Sequence, residues 1–238
     1  MVMLFQTNVP HSVYNGCEET SDSGIVAGIL NFNTMDGNVY RVVSNYNDRE
    51  GANTSVFSDF LPTLKDYADS GSSSLKGLKG TFCDAWRSLD GDSIFNSAQD
   101  EIWINDYRDP GEKVAVGAGL SFTLSMIVLT DTAIYIGSPN DSNKLQKLVD
   151  ATNDKVVDYS GYDDIESGKM MTVGDSGVEV DEIKWLRVFL DLREKKYKGQ
   201  AKMNLKTYRE LIKQRQWQPD FPVTAYNWNN KPVTICEW

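Results

Sequence analysis

Apolar residues recur at three- and four-residue intervals through much of this chain. Val56, Phe57, Phe60, Leu61 and Leu64 mark one face of a helix predicted over 55–68. Ile94, Phe95, Ala98, Ile102 and Trp103 mark a second, with Asp92 or Ser93 as its cap and Asp109-Pro110-Gly111 as its stop. Further helices are predicted at 142–152, at 181–197 (Ile183, Leu186, Phe189, Leu190) and at 204–215 (Leu205, Tyr208, Leu211, Ile212). The stretch 113–136 is apolar nearly all round, from Val114 through Leu120, Phe122, Leu124 and Met126 to Ile134. Ser121, Thr123, Ser125, Thr130, Asp131 and Thr132 interrupt it. A membrane span wants a nearly unbroken apolar run of ~20 residues, so a buried central helix is the better reading. Asp131 then needs an arginine partner, because an unpaired buried carboxylate is costly. Between the helices, 153–180 is polar and glycine-containing, and 69–80 reads as a mobile loop. Gly24-Ile25-Val26-Ala27-Gly28-Ile29-Leu30-Asn31-Phe32 is a candidate strand with small turns. The pattern is mainly helical, with a small β element near the N-terminus.

Length allows one large core or a two-lobed fold, at 238 residues. Charge narrows the partners. The 34 acidic residues against 24 basic ones give a formal charge of −10. That balance argues against nucleic acid, which needs a basic surface. It permits a cationic partner such as a glucosamine polymer, although acidic surfaces also serve solubility alone. His11 is the single histidine, and Cys17, Cys83 and Cys236 contain no CxxC pair. A zinc site, a Cys/His nucleophile pair and a Ser-His-Asp triad are therefore excluded. No cofactor and no metal are expected, and any hydrolytic chemistry must rest on carboxylates. The start, Met1-Val2-Met3-Leu4-Phe5-Gln6, lacks the basic region and cleavage site of a secretory signal. The protein is then either intracellular or a secreted protein's mature form. Asn53-Thr54-Ser55 and Asn140-Asp141-Ser142 are glycosylation triplets, a pattern also common by chance. Trp86, Trp103, Trp185 and Tyr46 could stack on sugars, but helical spacing favours a core role for Trp103 and Trp185.

Glu18, Glu19 and Asp22 place three acids within five residues. Glycoside hydrolysis uses two carboxyl groups on opposite sides of the sugar, about 6.5–9.5 Å apart if water attacks directly. Taken without any relative, the three acids read as a solvated loop face.

A resemblance changes that reading. Leu4-Phe5-Gln6-Thr7-Asn8, then Tyr14, then Asp22 after seven residues, resembles the pattern Leu-Phe-Glu-Asn-Ser, tyrosine, Asp-Gly-Arg-Gly-Tyr-Thr of the glycoside hydrolase family 46 chitosanases. Asp22-Ser23-Gly24-Ile25-Val26-Ala27-Gly28 follows the second element with one residue missing. Gly37-Asn38-Val39, Phe60-Leu61-Pro62-Thr63-Leu64-Lys65, Phe95 with Ala98-Gln99-Asp100, Phe189-Leu190-Asp191-Leu192-Arg193 and Tyr208-Arg209 continue the likeness in the same order. The resemblance implies a mainly α-helical, lysozyme-like α+β fold. Residues 1–238 would form a single domain of two lobes, with a long central helix and a chitosan-binding cleft. It implies an inverting endo-chitosanase in which a glutamate protonates the leaving oxygen and an aspartate activates water.

On this mapping Asp22 takes the water-activating position and Gln6 stands where the acid belongs. An amide cannot donate that proton. Val26 replaces the threonine that helps hold the water, the arginine beside the aspartate is missing, and Asn38 replaces a substrate-binding aspartate. Glu18 and Glu19 are the remaining candidate acids or substrate-binding groups. Asp131, Arg193 and Arg209 match a buried Arg-Asp-Arg cluster that ties the lobes together. Three explanations stand: an engineered change at Gln6, a diverged enzyme whose acid is Glu18 or Glu19, or a member that lost hydrolysis and kept a glycan-binding or structural role.

Overall fold

Short alternating runs near the N-terminus form antiparallel β structure. The computed structural model describes Asn8 and residues 12–136, 142–162, 164–197, 201–219, 222–227 and 229–235. Strands β1 (Cys17–Thr20), β2 (Gly24–Ala27) and β3 (Phe32–Asn33) make one sheet in the order β1-β2-β3. Cys17 pairs with Ala27 and Thr20 with Gly24, so Ser21-Asp22-Ser23 form the tip of the first hairpin. Alternation buries Cys17, Ile25, Ala27 and Phe32, each under 5% exposed. Gly24 has φ +76, and a Cβ there would meet Thr34 Oγ1 at 2.1 Å. Only glycine meets both demands.

Helices α1 (Asn38–Asn47), α2 (Leu61–Ser70), α3 (Phe82–Arg87) and α4 (Ser93–Trp103) surround an aromatic core. Tyr46, Phe57, Phe82, Trp86 and Phe95 are all essentially unexposed. Their rings meet at centroid distances of 4.7–6.2 Å, several of them edge to face. Such pairs contribute about 0.5–1.5 kcal/mol beyond their buried area. Tyr46 and Trp86 are thus core residues, and the sugar-stacking alternative fails for both. The helix predicted over 55–68 is two pieces, a 3₁₀ turn at Thr54–Val56 and then α2. Pro62 sits in the first turn of α2, where its missing N–H costs nothing, so the helix begins there.

Asp92 caps α4 as expected, its carboxylate accepting from the backbone N–H groups of Ile94 and Phe95. The expected stop at Asp109-Pro110-Gly111 does not occur. A π turn at Ile104–Arg108 leads directly into α5 (Asp109–Gly117), with Pro110 in its first turn. Helical residues therefore run from Ser93 to Gly117 without a break. The expected buried helix over 113–136 is also corrected. Gly117 ends α5, and α6 (Thr123–Ile136) begins afresh.

The new start of α6 has a cause distant in sequence. Glu182, fully buried, accepts from the N–H groups of Ser121 at 3.0 Å and Phe122 at 2.9 Å, and from the hydroxyls of Ser121 and Ser125 at 2.8 and 2.7 Å. A carboxylate at a helix N-terminus meets both orphan donors and the positive end of the helix dipole. Its neighbour Asp181 caps α8 (Glu182–Lys196) and also accepts from Ser167 and Gly168.

Helices α7 (Ser142–Val157) and α9 (Ala201–Lys213) complete the helical set. The polar stretch 153–180 holds the end of α7 and most of a hairpin, β4 (Met170–Thr172) with β5 (Glu179–Asp181). A second hairpin, β6 (Val223–Tyr226) with β7 (Pro232–Ile235), follows α9. The chain packs as two compact units, one of His11–Ile104 and one built on Asn105–Trp238. Among the described residues no helix is long and apolar enough to cross a membrane.

A disulfide joins Cys17 of β1 to Cys83 of α3 across 66 residues of chain. Closing a loop of that length removes about 4 kcal/mol of unfolded-state entropy in the chain-entropy model. Replacing both cysteines by serine is expected to lower the unfolding free energy by about that amount. Urea titration of the double variant against the parent checks it, and an unchanged midpoint would refute it.

Candidate functional site

The hairpin that presents Asp22 is held by its neighbours more than by its own short strands. Thr34, 1% exposed, accepts from Ile25 N and donates to Ser23 O, both at 3.2 Å. Thr20 Oγ1 donates to Gly24 O and accepts from Ser23 N across the turn. Gln99 is wholly buried, accepting from Ile29 N at 3.2 Å and donating to Tyr14 O at 3.1 Å. Trp86 Nε1 donates to the same Tyr14 carbonyl at 2.8 Å. Gly28 has φ +74, and a Cβ there would lie 2.3 Å from Gln99 Oε1. Tyr14 donates its phenol to Asp100 at 3.0 Å. Burial raises the Tyr14 phenol above its usual range, with the Asp100 carboxylate adding to the shift. Burial likewise raises the Asp100 carboxyl, and the bond from Tyr14 partly offsets it.

Asp22 stands exposed at the tip, accepting from its neighbour Ser21 at 2.9 Å. Glu18 pairs in register with Val26, and Val26 in turn with Asn33, so these three form one row across the sheet. Glu19 points to the other face of the strand. There its carboxylate accepts from Gly80 N at 2.6 Å, fastening the 76–80 turns to the hairpin. Ser73 Oγ adds a bond to Ser21 O at 3.4 Å. The segment expected to be a mobile loop is thus tied to the site at two points. Asn38 opens α1 and accepts from Arg41 Nη1 at 3.4 Å. Gln6 and His11 lie outside the described residues, as does Cys236.

Asp131, Arg193 and Arg209 all belong to the Asn105–Trp238 unit. Arg193 Nη2 meets Asp131 Oδ2 at 2.7 Å, and both side chains are 0% exposed. The second partner of Asp131 is Asn204, whose amide donates to Oδ1 at 3.0 Å and Oδ2 at 3.1 Å. Arg209, expected in this cluster, is elsewhere. It binds Asp191 at 2.9 Å and Glu194 at 2.7 Å on the outer side of α8, with its side chain 41% exposed. Asn204 and Arg209 lie five residues apart on α9, and the helix turns only the first toward Asp131. Tyr208 is buried beside the pair, and that burial, with Asp131 near, raises its phenol well above the usual range.

Sequence reasoning did not find the roles of Gln99, Glu182 or Asn204. Nor did it find a cavity of about 320 Å³ lined by Tyr162, Asp164, Arg187, Asp191, Arg209 and Lys213 among others. Charges there largely satisfy one another: Tyr162 donates to Asp191 at 2.6 Å, Arg187 pairs with Asp164 at 2.7 Å, and its guanidinium lies 3.8 Å from the Tyr162 ring centre. Trp185 is core, as expected, and Trp103 is partly buried.

The family model for glycosyl hydrolase family 46 matches residues 5–223. The chain belongs to glycosyl hydrolase family 46. A chitosanase of Bacillus subtilis strain 168 is 29% identical over 194 residues, which cover 81% of this chain and 63% of that protein. A chitosanase of Streptomyces sp. strain N174 is 28% identical over 182 residues, covering 76% of this chain and 58% of the relative. The chain therefore spans less than two thirds of the length of these two relatives. Among solved structures, a family 46 chitosanase of Gynuella sunshinyii in complex with chitotetraose superposes with TM-score 0.77 at 22% identity, covering 100% of this chain and 95% of that one. Native chitosanase from Bacillus subtilis MY002 gives 0.76 at 25% identity, covering 98% and 94%. The mainly helical, lysozyme-like α+β fold expected from the resemblance is thus the fold of this family 46 chain.

The buried pair supplies a discriminating test. Arg193→Met strands Asp131 in the core and is expected to cost about 3–5 kcal/mol. Arg209→Ala removes only partly exposed pairs and is expected to cost under about 1 kcal/mol. Chemical denaturation of the two variants checks the ranking, and a larger loss for Arg209→Ala would overturn the assignment.

Proposed function

We propose that this family 46 chain acts on chitosan-like glucosamine polymers, with Asp22 as the general base of an inverting hydrolysis. Supporting this reading is the position of Asp22, an exposed carboxylate on a turn anchored through Thr34, Gln99 and Tyr14. The relatives' names extend it, since each is a chitosanase and one structure holds chitotetraose. Glucosamine units carry ammonium groups, and a chain of formal charge −10 attracts them. Glu18 and Asn38 are the remaining candidates for contacting the sugar, and Glu18, itself exposed, pairs with Val26 across the hairpin.

Neither glutamate of β1 suits the acid's part. Glu19 is engaged by Gly80 N on the opposite face of the strand. Glu18 rides the same hairpin as Asp22, so both would approach a sugar from one side. Inversion needs acid and base on opposite faces of the ring. On the family mapping Gln6 therefore puts an amide where the proton donor belongs, and turnover by this chain is expected to be slow. A positioned general acid is worth about 10²–10⁴-fold.

A second reading is a glycan-binding protein that no longer hydrolyses. It is favoured by two changes on one site, Gln6 for the acid and Val26 for the water-holding threonine. Reducing-end release from chitosan separates the two. Gln6→Glu is expected to raise the rate by about 10²–10⁴-fold, and Asp22→Asn in that background to abolish it. No release by any variant, together with chitosan binding that weakens as salt rises, would establish the binding reading instead.

A further inference from the structure

A hairpin tip on strands of four residues sways unless something beyond the ladder holds it. Ser21-Asp22-Ser23 is such a tip, and two threonine hydroxyls grip the chain just after Asp22. Thr20 Oγ1 accepts from Ser23 N at 3.2 Å and donates to Gly24 O at 3.1 Å. Thr34 Oγ1 accepts from Ile25 N and donates to Ser23 O, both at 3.2 Å. A hydroxyl has one proton to donate and lone pairs to accept with, so each threonine is used in both directions. Four backbone groups from Ser23 to Ile25 are thereby fixed, beginning with the amide of the Asp22–Ser23 peptide. The two hydroxyls reach the tip from different places. Thr20 ends β1 beside it. Thr34 is buried in the link from β3 to α1, where its N–H donates to Ile25 O and its carbonyl accepts from Gly37 N, both at 3.1 Å. Gly24 leaves the room for this grip, since a Cβ there would sit 2.1 Å from Thr34 Oγ1. None of the four bonds uses the Asp22 carboxylate, which stands exposed at the tip.

We infer that Thr20 and Thr34 are positioning residues for Asp22, and that their hydroxyls set the rate of the chemical step without adding to sugar affinity. The inference rests on Asp22 acting as the general base proposed above. A base that activates water for direct attack must hold that water in line with the anomeric carbon. Displacing a reacting group by about 1 Å can cost about 10²-fold in rate. Replacing either threonine by valine keeps the shape of the side chain and removes the grip. The strands stay paired, but the arc between them is loosened. The carboxylate then visits positions from which its water misses the carbon. Turnover falls although the sugar still binds.

A substrate that asks nothing of Gln6 tests the inference. The β-fluoride of a glucosamine disaccharide is one, because fluoride leaves without being protonated. Water attacks the anomeric carbon and gives a proton to Asp22. One C–O bond forms, the C–F bond breaks, and fluoride departs with the bonding pair. Fluoride release followed with an electrode gives kcat and KM for each chain. The parent is expected to release fluoride, and Asp22→Asn to lose that activity. Thr20→Val and Thr34→Val are each expected to lower kcat by about 10- to 100-fold with KM unchanged. Thr20→Ser and Thr34→Ser keep a hydroxyl and are expected to keep the parent kcat. Thermal melting shows which variants are folded, and Thr20→Val, on the partly buried residue, carries the test if Thr34→Val does not fold. Folded valine variants with the parent kcat, beside an inactive Asp22→Asn, would overturn this inference and leave the general base standing. So would a raised KM at unchanged kcat, or serine variants as slow as the valine ones. A parent that releases no fluoride, or an Asp22→Asn chain that releases it as fast, would remove the general base and this inference with it.

Discussion

The side chain of Gln99 holds together the part of the molecule on which the site depends. A sheet of two- to four-residue strands is marginal by itself. Gln99 reaches it from α4 with both ends of a buried amide, one on Ile29 N and one on Tyr14 O. Each bond is modest in net terms, but losing one leaves a buried polar group unsatisfied, at a cost of about 1–3 kcal/mol. The surroundings are shaped around it. Gly28 lacks a side chain where the Gln99 oxygen needs the space, and Trp86 adds a second donor to the Tyr14 carbonyl. Asp22 inherits its position from this clamp.

Carboxylates do most of the other long-range work. Glu182 starts one helix while standing at the head of another, and Asp181 caps the second and gathers the loop before it. Asp131 is matched by a guanidinium and an amide. Burial is tolerable in each case because several donors converge on the charge. An acidic chain thus uses some of its acids as internal fasteners and leaves others, Asp22 and Glu18 among them, at the surface.

Legibility in the sequence followed the strength of each local signal. The stripe of Ile94, Phe95, Ala98 and Ile102 and the cap at Asp92 were readable because both lie within a few turns of one helix. Strands of three or four residues give too little alternation to stand out, so β4 to β7 were invisible. The break between α5 and α6 was hidden for another reason. Its cap, Glu182, is some 60 residues away, and the segment is apolar on all sides. Asn204 and Arg209 illustrate a third limit. Both are polar residues of α9, and the family pattern pointed to the arginine where geometry chose the amide. Of the candidate site, the spacing from Tyr14 to Asp22 was the signal that the family pattern supplied, and in the structure Tyr14 clamps the hairpin whose tip carries Asp22. The assignment of Gln6 rests on the family pattern alone.

With the amide of Asn204 as its other partner, Asp131 forms an electrically balanced pair with Arg193. One guanidinium and one carboxylate cancel there, and the third member brings hydrogen bonds without charge. Dissolved ions have little to screen in a neutral pair whose side chains are both 0% exposed. A change in the behaviour of this protein with ionic strength accordingly reports on its outer charges and on whatever cation they meet, and not on this pair.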